Sequence, residues 1–127
     1  MIRVMYLRDN KRQPVGCIVL ALNASKTKIR YQMSVLNPAD RFDRSMARVI
    51  AKGRLLECPL TITLDEPLDS MHEISERVMI SIVDNFAGNF PARARKAAKR
   101  WLSINTNEAI TYDDLAVKQA LDLDHFL

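Results

Sequence analysis

The chain has 127 residues, with Lys+Arg 19 against Asp+Glu 15, and is 48% hydrophobic and 27% charged; these are the proportions of an ordinary folded domain and exclude fibrous and disordered classes. A chain of this size buries roughly two thirds of the surface its unfolded form exposes, so it needs no disulfide or structural metal. No apolar run approaches the roughly 20 residues that cross a bilayer, and Met1-Ile2-Arg3-Val4 lacks a signal-peptide layout, so a single cytoplasmic domain without membrane contact is expected. Cys17 and Cys58 sit among apolar neighbours and read as buried thiols rather than a redox pair. Charge is uneven: residues 1–64 carry a net +8 and residues 65–127 a net −4. Within the acidic half, Arg93, Arg95, Lys96, Lys99 and Arg100 form a basic island, and the stretch after Tyr112 is acidic. Such islands point to an anionic partner, and an acidic tail suits a basic patch on a second copy of the chain.

Ile2–Leu7 is apolar and β-prone, and the polar stretch from Arg8 to Pro14 turns it back into Val15–Leu22, giving a first hairpin. The second run is apolar at nearly every position, as in a central strand covered on both faces. Ile29, Tyr31, Met33 and Val35 then alternate with Arg30, Gln32 and Ser34, the period of a half-buried strand with Arg30 outward. Asn37-Pro38 stops it. Asp40 is expected to cap a first helix, with Asp43 as a second acid in its first turn. In that helix Phe42, Met46, Val49, Ile50 and Gly53 form one stripe, taken to face the core, and Arg41, Arg44, Arg48 and Lys52 another.

Leu60–Leu64 alternates as a fourth strand. Ser70-Met71-His72-Glu73 matches the capping box and opens a helix to about Phe86 that turns Met71, Ile74, Val78, Ile82 and Phe86 inward. Gly88 suits a left-handed cap, Pro91 suits the first turn of a helix to Leu102, and Thr111 opens a last short helix to Leu123. The expected architecture is α+β, in the order βββαβααα, with an antiparallel sheet of about four to five strands and two to four helices packed on one face.

The chemistry that this pattern offers is mostly arginine. His72 and His125 have no partners at metal-ligand spacing, and with three glycines in the chain no glycine-rich phosphate cradle can be built. No nucleophile elbow, P-loop or Rossmann fingerprint is present, so no catalytic residue, metal or cofactor is expected and the chain reads as a binding protein rather than an enzyme. The guanidinium fork binds phosphates bidentately and stacks on rings. Arg41, Arg44, Arg48 and Arg54, with Arg30 on the neighbouring strand, make one candidate ligand-binding set; Arg93 and Arg95 belong to a second. Each arginine alone is better explained by pairing with nearby acids such as Asp40 and Asp43, and it is the clusters together that favour a ligand. Phe86 is placed to stack on a base and Asn89 to read its polar edge, although core packing is the commoner fate of such a ring.

The segment from Tyr31 through Asn37-Pro38, the Asp40-Arg41-Phe42-Asp43 start and the Ala51-Lys52-Gly53-Arg54 end resembles small phage proteins, and the family it is most similar to is the Thoeris anti-defence sponges. The resemblance implies a phage protein in the host cytoplasm that binds and sequesters cyclic nucleotide immune signals, glycocyclic ADP-ribose or cyclic oligonucleotides, without cleaving them. It also implies a homo-oligomer, a dimer or an assembly of dimers. On that reading Arg41, Arg48 and Arg54 hold phosphates, Phe86 stacks and Asn89 reads a polar edge. The alternative is a small basic DNA- or RNA-binding regulator that tracks a phosphate backbone with the two basic helices.

Overall fold

The structure, a computed structural model, describes residues 2–37, 39–68, 70–84 and 89–105. Phe86, Gly88 and the helix expected over Thr111–Leu123 lie outside the described residues. Within them the elements run β1 (Ile2–Arg8), β2 (Pro14–Leu22), β3 (Lys28–Val35), α1 (Arg44–Glu57), β4 (Leu60–Thr63), α2 (Met71–Asp84) and α3 (Ala92–Asn105). The strands form one antiparallel sheet in the order β1-β2-β3-β4, an α+β fold as expected. Among the described residues no helix is long and apolar enough to cross a membrane.

Local chemistry explains the turns. Asp9 Oδ1 accepts from the backbone N–H of Lys11 and of Gln13 and closes the β1–β2 turn, where Arg12 takes the left-handed conformation. Asn23 Oδ1 does the same for Thr27 and Lys28 before β3. An irregularity in the β1–β2 ladder pairs Leu7 with Gly16 but Arg8 with Pro14. Val15 is the extra residue, a bulge that bends the strand at that end of the sheet.

The alternation of β1, β2 and β3 sorts their side chains into two cores. Met5, Leu7, Ile18, Leu20, Ile29, Tyr31 and Met33 point to one face, where Ile74, Val78, Met79 and Ile82 of α2 and Ala94, Ala97, Ala98 and Trp101 of α3 close over them. The hydroxyl of Tyr31, a fully buried ring, is 2.6 Å from Ser81 Oγ, which satisfies a polar atom that burial would otherwise penalise. Tyr6, Cys17 and Val19 point to the other face and meet Ala51, with Val4, Phe42, Ala47 and Leu55 around them. The continuous apolar run of β2 is thus explained by cover on both sides.

Helices on one face is therefore true of α2 and α3, while α1 takes the opposite face. Two expectations for α1 are corrected. The helix is capped by Asp43, whose carboxylate accepts from Met46 N–H at 3.1 Å, so it starts a turn later than an Asp40 cap would set it. The stripe expected to face the core is outside: Met46, Val49 and Ile50 are exposed, and the small Ala47 and Ala51 face the sheet instead. Small residues win because the strand beneath is polar on that face. Ser34 Oγ donates to the Ala47 carbonyl at 2.8 Å and Gln32 Nε2 to the Cys58 carbonyl at 2.8 Å, contacts that require the helix backbone to lie close to β3. Gln32 and Ser34 are accordingly buried, where a half-buried strand would leave them open.

The helix starts elsewhere follow the sequence. Ser70 Oγ accepts from Glu73 N–H at 3.2 Å, half of the expected capping box. The Pro91 carbonyl accepts from Ala94 and Arg95 at the head of α3, which runs on to Asn105.

Candidate functional site

The fold does not gather the candidate residues into one place, because the two basic sets lie on opposite faces of the sheet. On the α1 face the arginines are held by protein groups. Arg48 Nε donates to the Tyr6 hydroxyl at 2.7 Å, and the Arg44 guanidinium stacks over the same ring at 5.0 Å from its centroid. Phe42 meets that ring edge-on at 6.1 Å. Tyr6 is buried, so these contacts form a small structural cluster at the β1 side of the helix. Arg54 Nη1 donates to the Met33 carbonyl at 2.8 Å and ties the end of α1 to β3.

Arg41 borders a cavity. Its side chain lines a space of about 190 Å³ between the end of β3 and the start of α1, with Asn37, Asp40, Phe42, Met46 and Ile50. Arg30 is exposed on the same face, paired in the ladder with Ala21 and Thr61, toward the other end of β3. Cys17 lies in the core beneath α1; burial raises its thiol from about 9 to about 11, and the positive charge of Arg48 offsets only part of that.

The α3 set is arranged differently. Arg93, Lys96 and Arg100 recur at i, i+3 and i+7 and share one side of the helix. They face the β1–β2 turn across a groove of about 490 Å³, lined also by Lys99, Ser103, Asp9, Asn10 and Val15. The bulge at Val15 and the Asp9-closed turn put the floor and far wall in place. Four cations and one acid line this space. The side chains of Lys96, Lys99 and Arg100 make no hydrogen bond or ion pair among the described residues, and Arg93 donates through Nη2 to the Leu36 carbonyl, which holds its head in place. Asp9 is already committed on one oxygen to the turn amides.

Arg95 is on the other side of α3, where its guanidinium donates to the Val83 carbonyl of α2 at 3.3 Å. Asn89 is exposed, with a left-handed backbone just ahead of α3, and Phe86 lies outside the described residues. Among the described residues, Arg93 is thus the expected ligand residue that lines the larger groove. Lys96, Lys99 and Arg100 were visible in the sequence as a basic island with helical spacing. Asp9, Asn10 and Val15 carried no signal, since only the hairpin brings that turn beside a helix 80 residues later in the chain.

Chemically the groove offers two guanidinium forks, two ammonium groups, an amide and a hydroxyl, on a wall that includes Ala97 and Val15. Its volume falls within the range of roughly 300 to 1,000 Å³ typical of small-molecule sites. Among the described residues no group of three or more His, Cys, Asp or Glu could hold a metal ion. Among the described residues the groove's lining contains no histidine or cysteine. No family model, no curated protein and no solved structure matches the chain.

Proposed function

We propose that the protein is a binding protein for a phosphate-bearing nucleotide, seated in the groove between α3 and the β1–β2 turn and held there without chemical change. The observation that carries this reading is the convergence of Arg93, Lys96, Lys99 and Arg100 on one groove of about 490 Å³ against the single acid Asp9. Three of those cations have no protein partner among the described residues, so the charge they concentrate favours an anion. Arginine forks bind phosphate oxygens bidentately and lysines add point charge.

The resemblance of the Tyr31–Leu55 segment to the anti-defence sponges narrows the ligand to a cyclic nucleotide, glycocyclic ADP-ribose or a cyclic oligonucleotide, removed from solution by mass action. A second reading, a DNA- or RNA-binding regulator, draws on the exposure of Lys96 and Lys99 along the same helix side, which suits a phosphate backbone.

One experiment tests both. Purified protein is heated with cyclic dinucleotides, cyclic trinucleotides, ADP-ribose cyclisation products and a short DNA duplex, at low and moderate salt. A ligand at 100 times its dissociation constant stabilises by about 2.7 kcal/mol, and ligand recovered after heating is analysed for chemical change. A shift with one cyclic nucleotide, recovered intact, is the expected result. A shift with DNA alone that vanishes as salt rises supports the regulator, and an altered nucleotide overturns the non-catalytic reading.

A further inference from the structure

A second and much smaller space, of about 20 Å³, adjoins the basic groove at the end of α3, with Leu7 and Arg8 of β1 on one side and Trp101, Ile104 and Asn105 on the other. Ala97 and Arg100 line both spaces. Two polar atoms of its lining residues are left over. Trp101 Nε1 and Asn105 Oδ1 are buried with no hydrogen-bond partner among the described residues, and Trp101 as a whole is only 4% exposed. Buried polar atoms are ordinarily paired, because burial takes away their water. A donor and an acceptor left unpaired four residues apart, on one side of a helix, call for a group that meets both.

The chemistry of that group follows from how the two side chains are held. Asn105 Nδ2 donates to the Trp101 carbonyl at 2.7 Å. A carbonyl only accepts, so the amide nitrogen must take that side and the oxygen is the free end. The indole is packed in the α2–α3 core, with the His72 ring 5.7 Å from it, centroid to centroid. The pair therefore offers one N–H and one C=O. A space of about 20 Å³ admits a single water-sized group, and the ligand group of that size that accepts from one partner while donating to another is a hydroxyl. From Arg100 to Asn105 the helix rises about 7.5 Å. A ligand with a phosphate on Lys96 and Arg100 brings a hydroxyl to the small space if it carries one a few bonds from that phosphate, as a ribose does.

We propose that Trp101 and Asn105 form a hydroxyl subsite of the groove, in which a ribose hydroxyl accepts from Nε1 and donates to Oδ1, so that the site selects ribonucleotides over deoxyribonucleotides. The inference rests on the reading of the groove as a nucleotide site and names the sugar it takes. Neither atom is open to solvent in the free protein. Arg100, shared by the two spaces and without a side-chain partner among the described residues, is the side chain whose swing onto a phosphate opens the subsite. Phosphate and sugar recognition are thereby coupled.

Calorimetric titrations of the full chain at low salt provide the test. The probes are ATP, 3′,5′-cyclic diadenylate, the 2′-deoxy counterpart of each, 3′-deoxy ATP and inorganic triphosphate. A ribose probe is expected to bind about tenfold or more tightly than at least one of its deoxy counterparts, since the analogue leaves the buried pair unmet. Trp101→Phe and Asn105→Leu should each lower the ribose probe to the deoxy level and leave inorganic triphosphate unchanged. Equal affinity for ribose and deoxyribose probes on the unaltered chain overturns the hydroxyl subsite and leaves the phosphate groove standing, and that comparison needs no variant to fold. Selectivity that survives in both variants overturns the assignment to these two residues. No binding of any probe, triphosphate included, overturns the reading of the groove and this inference with it.

Discussion

Neutralising two cations of the α3 groove gives the sharpest test of the binding assignment. The perturbation is the pair Lys96→Ala and Arg100→Gln, the second keeping most of the aliphatic stem. Neither side chain has a hydrogen bond or ion pair among the described residues, and alanine is the best helix former, so the free protein should unfold within about 0.5 kcal/mol of the parent. Binding should suffer far more. A unit charge about 6 Å from a phosphate interacts by about 3 kcal/mol at an effective dielectric constant of about 20. Exposure and salt reduce this to about 1 to 2 kcal/mol per cation. Two losses together weaken the ligand by about 30- to 700-fold, since each 1.4 kcal/mol is about tenfold. The assay is calorimetric titration with whichever cyclic nucleotide shifts the melting temperature. The paired control, Arg44→Ala with Arg54→Ala, removes contacts to Tyr6 and to the Met33 carbonyl and should lower stability while leaving affinity unchanged. Unchanged affinity in the Lys96/Arg100 pair, or lost affinity only in the control, refutes the assignment to α3 and returns the site to the α1 face.

Three further outcomes follow from packing. Tyr6→Phe removes the hydroxyl that accepts from Arg48 Nε at 2.7 Å and should cost about 1 to 2 kcal/mol in urea unfolding, with no effect on ligand binding. The two helix- and strand-borne glycines should respond with opposite signs: Gly16→Ala would place a methyl 2.8 Å from the Ser34 carbonyl oxygen and lose about 1 to 3 kcal/mol, whereas Gly53→Ala should gain about 0.5 to 1 kcal/mol in the same assay. Cys17 retains its proton to about pH 11 when folded but to about pH 9 when unfolded; the unfolded chain binds fewer protons across that interval, so stability should fall as pH rises from 9 to 11. Urea titrations across the interval check this by comparing the parent with Cys17→Ala, which lacks that part of the loss.

The legible parts of the fold were those in which side-chain size and polarity agreed with position. β2 reads as a doubly covered strand because every neighbour it needs is apolar, and β3 shows its core face through Ile29, Tyr31 and Met33. The cap at Ser70 and the start of α3 after Pro91 were equally plain, because each is a local interaction between residues a few positions apart. α1 misled because periodicity weighs large apolar residues, and here the inward face is built from Ala47 and Ala51, with Arg48 turned under to reach Tyr6. What decides its rotation is the polar face of the strand beneath: Ser34 and Gln32 bond to helix carbonyls and so require small residues at the contact.

The candidate site divides along the same line. The basic island on α3 was visible as spacing within one helix. That Arg44, Arg48 and Arg54 are occupied by a tyrosine ring, its hydroxyl and a strand carbonyl depends on contacts between residues 21 to 42 positions apart, which no local pattern encodes. An arginine cluster in a sequence is thus ambiguous between a ligand site and a brace, and the deciding quantity is how many of its donors the fold has already used. On α1 that count is high. On α3 three of the four groove cations have theirs unused among the described residues, which is why the proposed site lies on the helix that does not carry the family resemblance.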